Sequence, residues 1–169
     1  QFIGGQNLEE ALSVVNQLFF KYKVGSILDY AIEGKKSEDS FDSACKQIIE
    51  SIKTTHLNEA IPFAVFKITA VGSSELLEKT QSKKALSSSE KKQHEAMLDR
   101  INEICRTSYS LQVPLFIDAE ESWIQTSIDH IVVDQMKKFN KEKVIIYNTL
   151  QCYLKDADKK LQELHEESI

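Results

Sequence analysis

The chain has 169 residues, of which 41% are hydrophobic and 28% are charged, and its formal net charge is −5 at pH 7. These values are those of a soluble globular protein with a core of its own. Lys and Arg are mixed with Asp and Glu along the sequence, so no basic surface for nucleic acid is expected. No apolar run approaches the roughly 20 residues of a membrane-spanning helix.

Stretches with apolar residues at helical spacing alternate along the chain with short apolar runs typical of strands. In chain order, the predicted elements are a helix at 7–21, a strand at 25–30, a helix at 37–53, a strand at 62–71, a short helix at 75–80, a long helix after Ser89, a strand at 113–117, a helix at 122–139, a strand at 144–147 and a helix at 150–167. Residues 81–89 are rich in Ser and Lys, and we interpret them as an exposed linker within one domain that covers residues 1–169.

The predicted strands are almost continuously apolar, as expected of strands that are covered on both faces. Their alternation with helices predicts βαβ units and a parallel sheet. Two architectures fit this order, an open doubly wound sheet and a (β/α) barrel. The chain contains neither the Gly-x-Gly-x-x-Gly fingerprint of a dinucleotide-binding sheet nor a Walker motif. This absence favours the barrel.

Polar residues lie at or just beyond the carboxyl end of each predicted strand, where parallel α/β proteins bind their ligands. These residues are Asp29 and Glu33 after the first strand, Asp118, Glu120 and Glu121 at the third, and Tyr147, Asn148, Thr149 and Gln151 at the fourth, while Lys67 lies inside the second. Lys67 is the most informative, because a lysine between Phe66 and Ile68 is costly to bury unless it is paired or faces a polar cavity. It is either a cation directed at an anionic ligand group, such as a carboxylate, or an edge-strand lysine whose ammonium reaches water.

The other polar residues also have ordinary structural interpretations. Asp118 fits an N-cap of the helix near Ser122 or a loop acid, Glu120 and Glu121 fit acids at a helix entry, and Asn148 and Gln151 fit residues that satisfy backbone groups in a turn. The four histidines lack metal-ligand spacing, so no metal site is expected. Trp123 is interpreted as core packing, and the three cysteines as reduced thiols: Cys45, Cys105 and Cys152.

Four stretches together resemble the catalytic barrel of the proline dehydrogenase family. They are Gly-Ser-Ile-Leu-Asp-Tyr-Ala-Ile-Glu at 25–33, Phe-Lys-Ile-Thr-Ala-Val-Gly at 66–72, Pro-Leu-Phe-Ile-Asp-Ala-Glu at 114–120 and Tyr-Asn-Thr-Leu-Gln-Cys-Tyr-Leu-Lys-Asp-Ala at 147–157. The last is the most similar, although Leu150 replaces an aromatic residue that is usual in the family. Ile128 and Asp129 fit the helix that follows the third stretch.

The resemblance implies a (β/α)₈ barrel that binds FAD at the carboxyl ends of its strands. It implies hydride transfer from L-proline to the flavin, giving Δ1-pyrroline-5-carboxylate, with electrons passed on to a membrane quinone. Lys67 matches the lysine that meets the proline carboxylate, and Asp118 matches the active-site aspartate. Gln151 matches a glutamine that contacts the flavin, and Asn148 of the same motif is assigned to cofactor binding with it. Eukaryotic members act at the matrix side of the mitochondrial inner membrane, which is the location implied here.

The chain ends at Ile169, before the family's strand with Lys-Leu-Val-Arg-Gly-Ala-Tyr and its final helix with Tyr-x-Arg-Arg. The resemblance therefore implies only the first half to five-eighths of the barrel. Because a half barrel leaves sheet edges open, we expect the isolated chain to be unstable, oligomeric or inactive, or to pair with the missing half. Two alternatives stay open: a truncated, non-catalytic relative that acts as an interaction or regulatory partner, and another α/β barrel that binds a small anion through Lys67.

Overall fold

A computed structural model of the protein describes residues 4–5, 8–29 and 37–167. The described helices are α1 (Leu8–Tyr22), α2 (Glu38–His56), α3 (Ser74–Gln81), α4 (Ser88–Leu111), α5 (Ser122–Phe139) and α6 (Ala157–Glu167), with a short 3₁₀ helix at Ile68–Ala70. The described strands are β1 (Ala64–Phe66), β2 (Leu115–Ile117) and β3 (Ile146–Asn148). In this part of the chain, no helix combines the length and the apolar character that a membrane crossing requires.

The three strands form one parallel sheet in the order β1-β2-β3. Side chains alternate between the two faces of a strand, and here the faces differ. Ala64, Phe66, Leu115, Ile117 and Ile146 lie on the face that the helices cover, and they are buried. The opposite face carries Val65, Phe116 and Tyr147 in register, and all three are half-buried.

The core lies between the sheet and the helices α2, α3, α4 and α5, where α2 packs against α4 and α3 against α5. Apolar residues at helical spacing give each helix a buried face. Ile101, Ile104 and Cys105 of α4, for example, have no exposed surface. A smaller cluster joins Val15 of α1 to Ala60 and Ile61.

The strand predicted at 25–30 is a single parallel bridge between Leu28 and Ala64 in the described residues, and its last residue lies outside them. The strand predicted at 62–71 is too long. After Lys67 the backbone turns into the 3₁₀ helix, where the Ala70 amide donates to the Lys67 carbonyl at 3.1 Å. A short apolar run has the same pattern in a strand and in a buried turn, so the sequence did not separate them.

The helix predicted at 150–167 begins later, at Ala157, because two tight turns precede it. In one turn the Leu154 amide donates to the Gln151 carbonyl at 3.1 Å, and in the next the Ala157 amide donates to the Leu154 carbonyl at 3.2 Å. The interpretation of Trp123 as core packing is wrong, since this side chain is 59% exposed. It lies in the first turn of α5, next to the buried Ile124.

Residues 82–87 connect α3 and α4 and are mostly exposed. Gln81 was predicted to belong to this linker, but it is the last residue of α3. Its side chain reaches the first turn of α5, where Nε2 donates to the Ser122 carbonyl at 3.0 Å and Oε1 accepts from the Thr126 amide at 2.9 Å. Gln81 therefore satisfies backbone groups at the start of a neighbouring helix.

Candidate active site at the carboxyl edge of the sheet

Lys67 and Asp118 directly follow β1 and β2 and form an ion pair at the carboxyl edge of the sheet. The Asp118 amide donates to the Phe66 carbonyl at 3.0 Å, which extends the strand pairing by one residue. Both side chains share the face of Val65 and Phe116, because they lie two residues further along extended strands. They are 43% and 35% exposed, so the pair faces open space rather than the core.

The environment of Lys67 keeps its ammonium charged. Partial burial acts to lower the pKa of Lys67. The hydrogen bond and charge of Asp118, together with the charges of Asp29 and Glu120, outweigh burial and raise the pKa above its usual range. Lys67 is therefore a fixed cation at neutral pH and not a proton acceptor.

Asp118 does not cap α5, because the residue in that position is Glu121. One oxygen of Asp118, Oδ1, accepts from the amide of Ala119 at 3.0 Å, and the other accepts from Lys67. Of the interpretations drawn from the sequence, the structure thus excludes the helix cap. Asp118 instead holds the ammonium of Lys67 in position.

Glu120 turns inward and joins the end of β2 to the turn after β1. Its Oε1 accepts from the Thr69 amide at 3.1 Å, and its Oε2 accepts from the Thr69 hydroxyl. Burial raises the pKa of the Glu120 carboxyl, while the two hydrogen bonds from Thr69 act in the opposite direction. This contact joins residues 51 positions apart, and it fixes the backbone just beyond Lys67.

Two residues at the end of β3 were predicted to bind a cofactor: Asn148 is the last residue of the strand, and Gln151 follows it. The Nε2 atom of Gln151 donates to the Glu120 carbonyl at 3.0 Å, which ties the segment after β3 to the segment after β2. Asn148 is in register with Ile117 and lies on the face that the helices cover. Its Nδ2 donates to Asp129 of α5 at 3.1 Å, and its Oδ1 accepts from the Thr149 amide at 2.9 Å.

A layer of aromatic rings lies on the open face of the sheet below the ion pair. Phe63 stacks on Phe116 with ring centroids 4.3 Å apart, and Tyr147 meets Phe116 edge-on at 5.4 Å. The three rings are half-buried in the part of the chain that the structure describes. They give the site an apolar floor beneath a polar rim, which is the usual composition of a ligand pocket.

The sequence did not reveal four of the polar residues behind this edge: Thr69, Gln125, Asp129 and Lys160. Gln125 and Asp129 lie four positions apart on the buried side of α5 and are only 6% and 5% exposed. The sequence did contain a sign of Gln125 and Asp129, because both residues interrupt the apolar stripe that contains Ile124 and Ile128. Among the sequence-predicted residues, Glu33 lies outside the described part of the chain.

The fold and this edge define a parallel α/β protein of the barrel type, with a fixed cation and a carboxylate at adjacent strand ends. The family model described as proline dehydrogenase matches residues 15–168. The chain therefore belongs to the proline dehydrogenase family, as its sequence motifs predicted.

Relatives that are similar over most of the chain include a bacterial and a eukaryotic protein. One is the carbapenem antibiotics biosynthesis protein CarD of Pectobacterium carotovorum, which is 30% identical over 98% of this chain and 44% of its own length. The other is the mitochondrial proline dehydrogenase 1 of Dictyostelium discoideum, which is 29% identical over 91% of this chain and 33% of its own length. The chain thus spans less than half the length of either relative.

Among solved structures, proline utilization A from Bdellovibrio bacteriovorus, inactivated by N-propargylglycine, superposes with a TM-score of 0.77. It is 19% identical, and the match covers 98% of this chain and 18% of that one. At this identity the likeness concerns the fold alone. It confirms the predicted architecture: the chain forms part of a TIM-type (β/α)₈ barrel, and the open doubly wound sheet is excluded.

Proposed function

We propose that this protein takes part in the flavin-dependent oxidation of L-proline to Δ1-pyrroline-5-carboxylate. The observation that carries the proposal is the Lys67 ammonium, held by Asp118 at the carboxyl edge of a barrel sheet. That edge is where barrel enzymes place their substrates. Membership of the proline dehydrogenase family supplies the reaction class, while the site supplies the residues.

Lys67 fits the carboxylate of L-proline. An ammonium has three donors, and Asp118 occupies one of them in the structure. The others remain for an anionic group, and the ion pair with Asp118 limits the directions in which they point. A compact cation that keeps its charge at neutral pH binds a carboxylate and orients the rest of the small molecule relative to it.

The residues of this edge also fit a flavin. A planar, apolar ring system requires an apolar surface, and Phe116 and Tyr147 provide one beside the polar rim. Its polar atoms require donors and acceptors, which the carboxamide of Gln151 provides. We assign Gln151 to direct contact with the cofactor. Because Asn148 points toward α5, we assign it to the support of the neighbouring loop.

The reaction removes a hydride from C5 of proline and a proton from its nitrogen, and the ring C=N bond forms from the electrons left behind. FAD, when bound, supplies the acceptor for that hydride, as organic cofactors do for chemistry beyond side chains. Lys67 and Asp118 bind and orient the substrate. Because Lys67 stays protonated, the proton of the substrate nitrogen does not go to this residue.

The electron acceptor and the cellular location follow from the resemblance alone. A membrane quinone would reoxidise the flavin, and an association with the mitochondrial inner membrane would bring the two together. The relative from Dictyostelium is named a mitochondrial protein and the one from Pectobacterium is bacterial. We propose a mitochondrial location on the basis of the Dictyostelium relative. We also propose that this chain pairs with a further copy of itself or with the rest of a barrel.

The test is the visible absorption spectrum of the purified protein with added FAD, before and after anaerobic L-proline. A protein-bound flavin band that bleaches with proline is expected when this chain is paired with the missing half of the barrel, because the isolated chain is expected to be inactive. Lys67→Met should keep the flavin band and lose most of the bleaching at low proline, because its effect falls on the substrate carboxylate. Lys53→Met is the matched control, since Lys53 is an exposed lysine of α2 whose partner is the exposed Glu50.

Absence of a bound flavin band in the wild-type protein paired with the missing half of the barrel would contradict the proposal and favour the non-catalytic alternative. Bleaching that is equal in Lys67→Met and Lys53→Met would show that Lys67 does not bind the substrate. D-proline serves as the specificity control, because it is the enantiomer of L-proline and carries the same carboxylate on a carbon of opposite configuration.

A further inference from the structure

Asp129 is a buried carboxylate that the proposed reaction does not use. It lies on α5, is 5% exposed and accepts three hydrogen bonds. Gln125 Nε2 donates to Oδ1 at 2.9 Å, Asn148 Nδ2 donates to the same oxygen at 3.1 Å, and Lys160 of α6 donates to Oδ2. A buried charge of this kind is costly unless each partner is in place.

An ionised carboxylate only accepts hydrogen bonds. The two carboxamides that face Asp129 must therefore turn their NH₂ groups toward it, and their oxygens must point away. Each of those oxygens then meets a backbone amide. Gln125 Oε1 accepts from the Glu120 amide at 2.6 Å, and Asn148 Oδ1 accepts from the Thr149 amide at 2.9 Å.

Both amides belong to the loops that carry the candidate site. Glu120 follows β2, binds Thr69 with its carboxylate and accepts from Gln151 with its carbonyl. Thr149 follows β3 and lies two residues before Gln151. A single buried carboxylate thus contacts both carboxamides, and each carboxamide in turn contacts the backbone at one of the two neighbouring strand ends.

We propose that Asp129 is a positioning residue that sets the orientation of the Gln125 and Asn148 carboxamides, and through them fixes the loops after β2 and β3. Lys160 balances its charge from α6. The proposal concerns the geometry of the loops, and only its consequence for cofactor affinity, through Gln151, rests on the proposed function. Asp129 touches neither the substrate nor the cofactor in this scheme.

The experiment is residue-resolved amide hydrogen exchange, followed by NMR, on the purified protein without added cofactor. In Asp129→Asn, the ammonium of Lys160 attracts the new amide oxygen, so the new NH₂ group faces Gln125 and Asn148. Both carboxamides then turn over and present NH₂ groups to the backbone amides. Protection of the Glu120 and Thr149 amides should fall roughly fivefold or more, as for a lost hydrogen bond.

A second change should reverse the effect of the first. In Asp129→Asn combined with Lys160→Met, no cation attracts the new amide oxygen, which can again accept from Gln125 and Asn148. Protection of both backbone amides should return to within about twofold of the wild type, a size below that of one net hydrogen bond. Lys160→Met alone keeps the acceptor-only carboxylate, so both amides should stay protected.

Two further variants serve as controls. Asp134→Asn removes the same charge from an exposed position of the same helix and should change neither amide. Gln125→Met removes only one of the two carboxamides, so protection should fall at Glu120 and persist at Thr149. Gln125→Met and Lys160→Met both keep the carboxylate of Asp129. If Asp129→Asn does not fold, these two variants test the proposal in its place.

The proposal is overturned if Asp129→Asn leaves both amides protected, or if protection is lost and the double variant does not restore it. It is also overturned if Lys160→Met alone exposes both amides, because the cation would then be the controlling group. None of these readouts involves flavin or proline. A protein that binds no flavin when paired with the missing half of the barrel would contradict the proposed function and leave the exchange experiment fully informative.

Discussion

Arg100 of α4 offers the sharpest test of how the helices support the site. It is only 7% exposed, and its guanidinium makes three hydrogen bonds. Nε donates to Asp42 at 2.6 Å, Nη2 donates to Glu38 at 2.5 Å, and Nη1 donates to the Val71 carbonyl at 3.2 Å. Val71 ends the turn that follows Lys67, so Arg100 ties α2 and α4 to the segment that carries the candidate cation.

The cost of Arg100→Met can be estimated from these contacts. The Val71 carbonyl is buried, and leaving it without a donor costs about 1–3 kcal/mol. Glu38 and Asp42 are 42% and 56% exposed, so each ion pair contributes only about 0.2–1 kcal/mol, since water replaces the lost partner. The cation also lies 5.6 Å from the ring of Phe41, a contact worth about 0.5–1 kcal/mol, of which methionine keeps the apolar part. We expect a loss of about 3 kcal/mol.

The assay is urea unfolding, with calorimetry as a second measurement. For a protein of this length the loss corresponds to a fall in Tm of roughly 6–12 °C. Arg106→Met is the matched control on the same helix, where the side chain is exposed, and it should change stability by less than about 0.5 kcal/mol. An Arg100→Met protein within 1 kcal/mol of the control would refute the reasoning, because the buried carbonyl would then not depend on this donor.

Two remaining predictions concern protonation and thiol reactivity. Hydrogen bonds from Lys79 and from the helix cap lower the pKa of Glu90 from 4.5 to about 2, so its contribution to stability is complete above pH 4.5 and is lost as the pH falls toward 2. Urea unfolding at a series of pH values should show this loss for the wild type but not for Glu90→Gln, and parallel pH profiles would contradict the assignment. Burial raises the pKa of Cys45 to about 11 and that of Cys105 to about 12, whereas Cys152 is exposed. A disulfide reagent should therefore titrate one thiol in the native protein and three after denaturation, and a second fast thiol in the native state would show that a buried cysteine is accessible.

The sequence alone predicted most of the helices and the edge of the sheet at which the candidate site lies. The helix predicted at 122–139 has the same bounds in the structure as α5, because its apolar stripe reports directly on which face is buried. Asp118 was predicted at the end of its strand, whereas Lys67 was predicted inside a strand that extended to residue 71. Because β1 ends at Phe66, Lys67 lies at the same edge of the parallel sheet as Asp118, and the two form an ion pair although they are 51 positions apart.

The local pattern was less informative where a backbone turn is buried. The apolar residues of Ile68–Ala70 resemble a strand, yet they form a 3₁₀ helix held by long-range contacts. Glu120 turns inward only because Thr69, from another strand end, offers it two donors.

The polar interior behind the site was decided by the tertiary structure alone. Asp129 is a tolerable buried charge because Asn148 and Lys160, 19 and 31 positions away, are brought to it by β3 and α6. A hydrophobic pattern indicates which positions of a helix or strand face the core, whereas a buried charge is stabilised by particular partner residues. Those partners become neighbours only when the helices have packed on the sheet. The sequence therefore pointed to Asn148 as a residue at a strand end, but not to its contact with Asp129, and it gave no sign of Lys160.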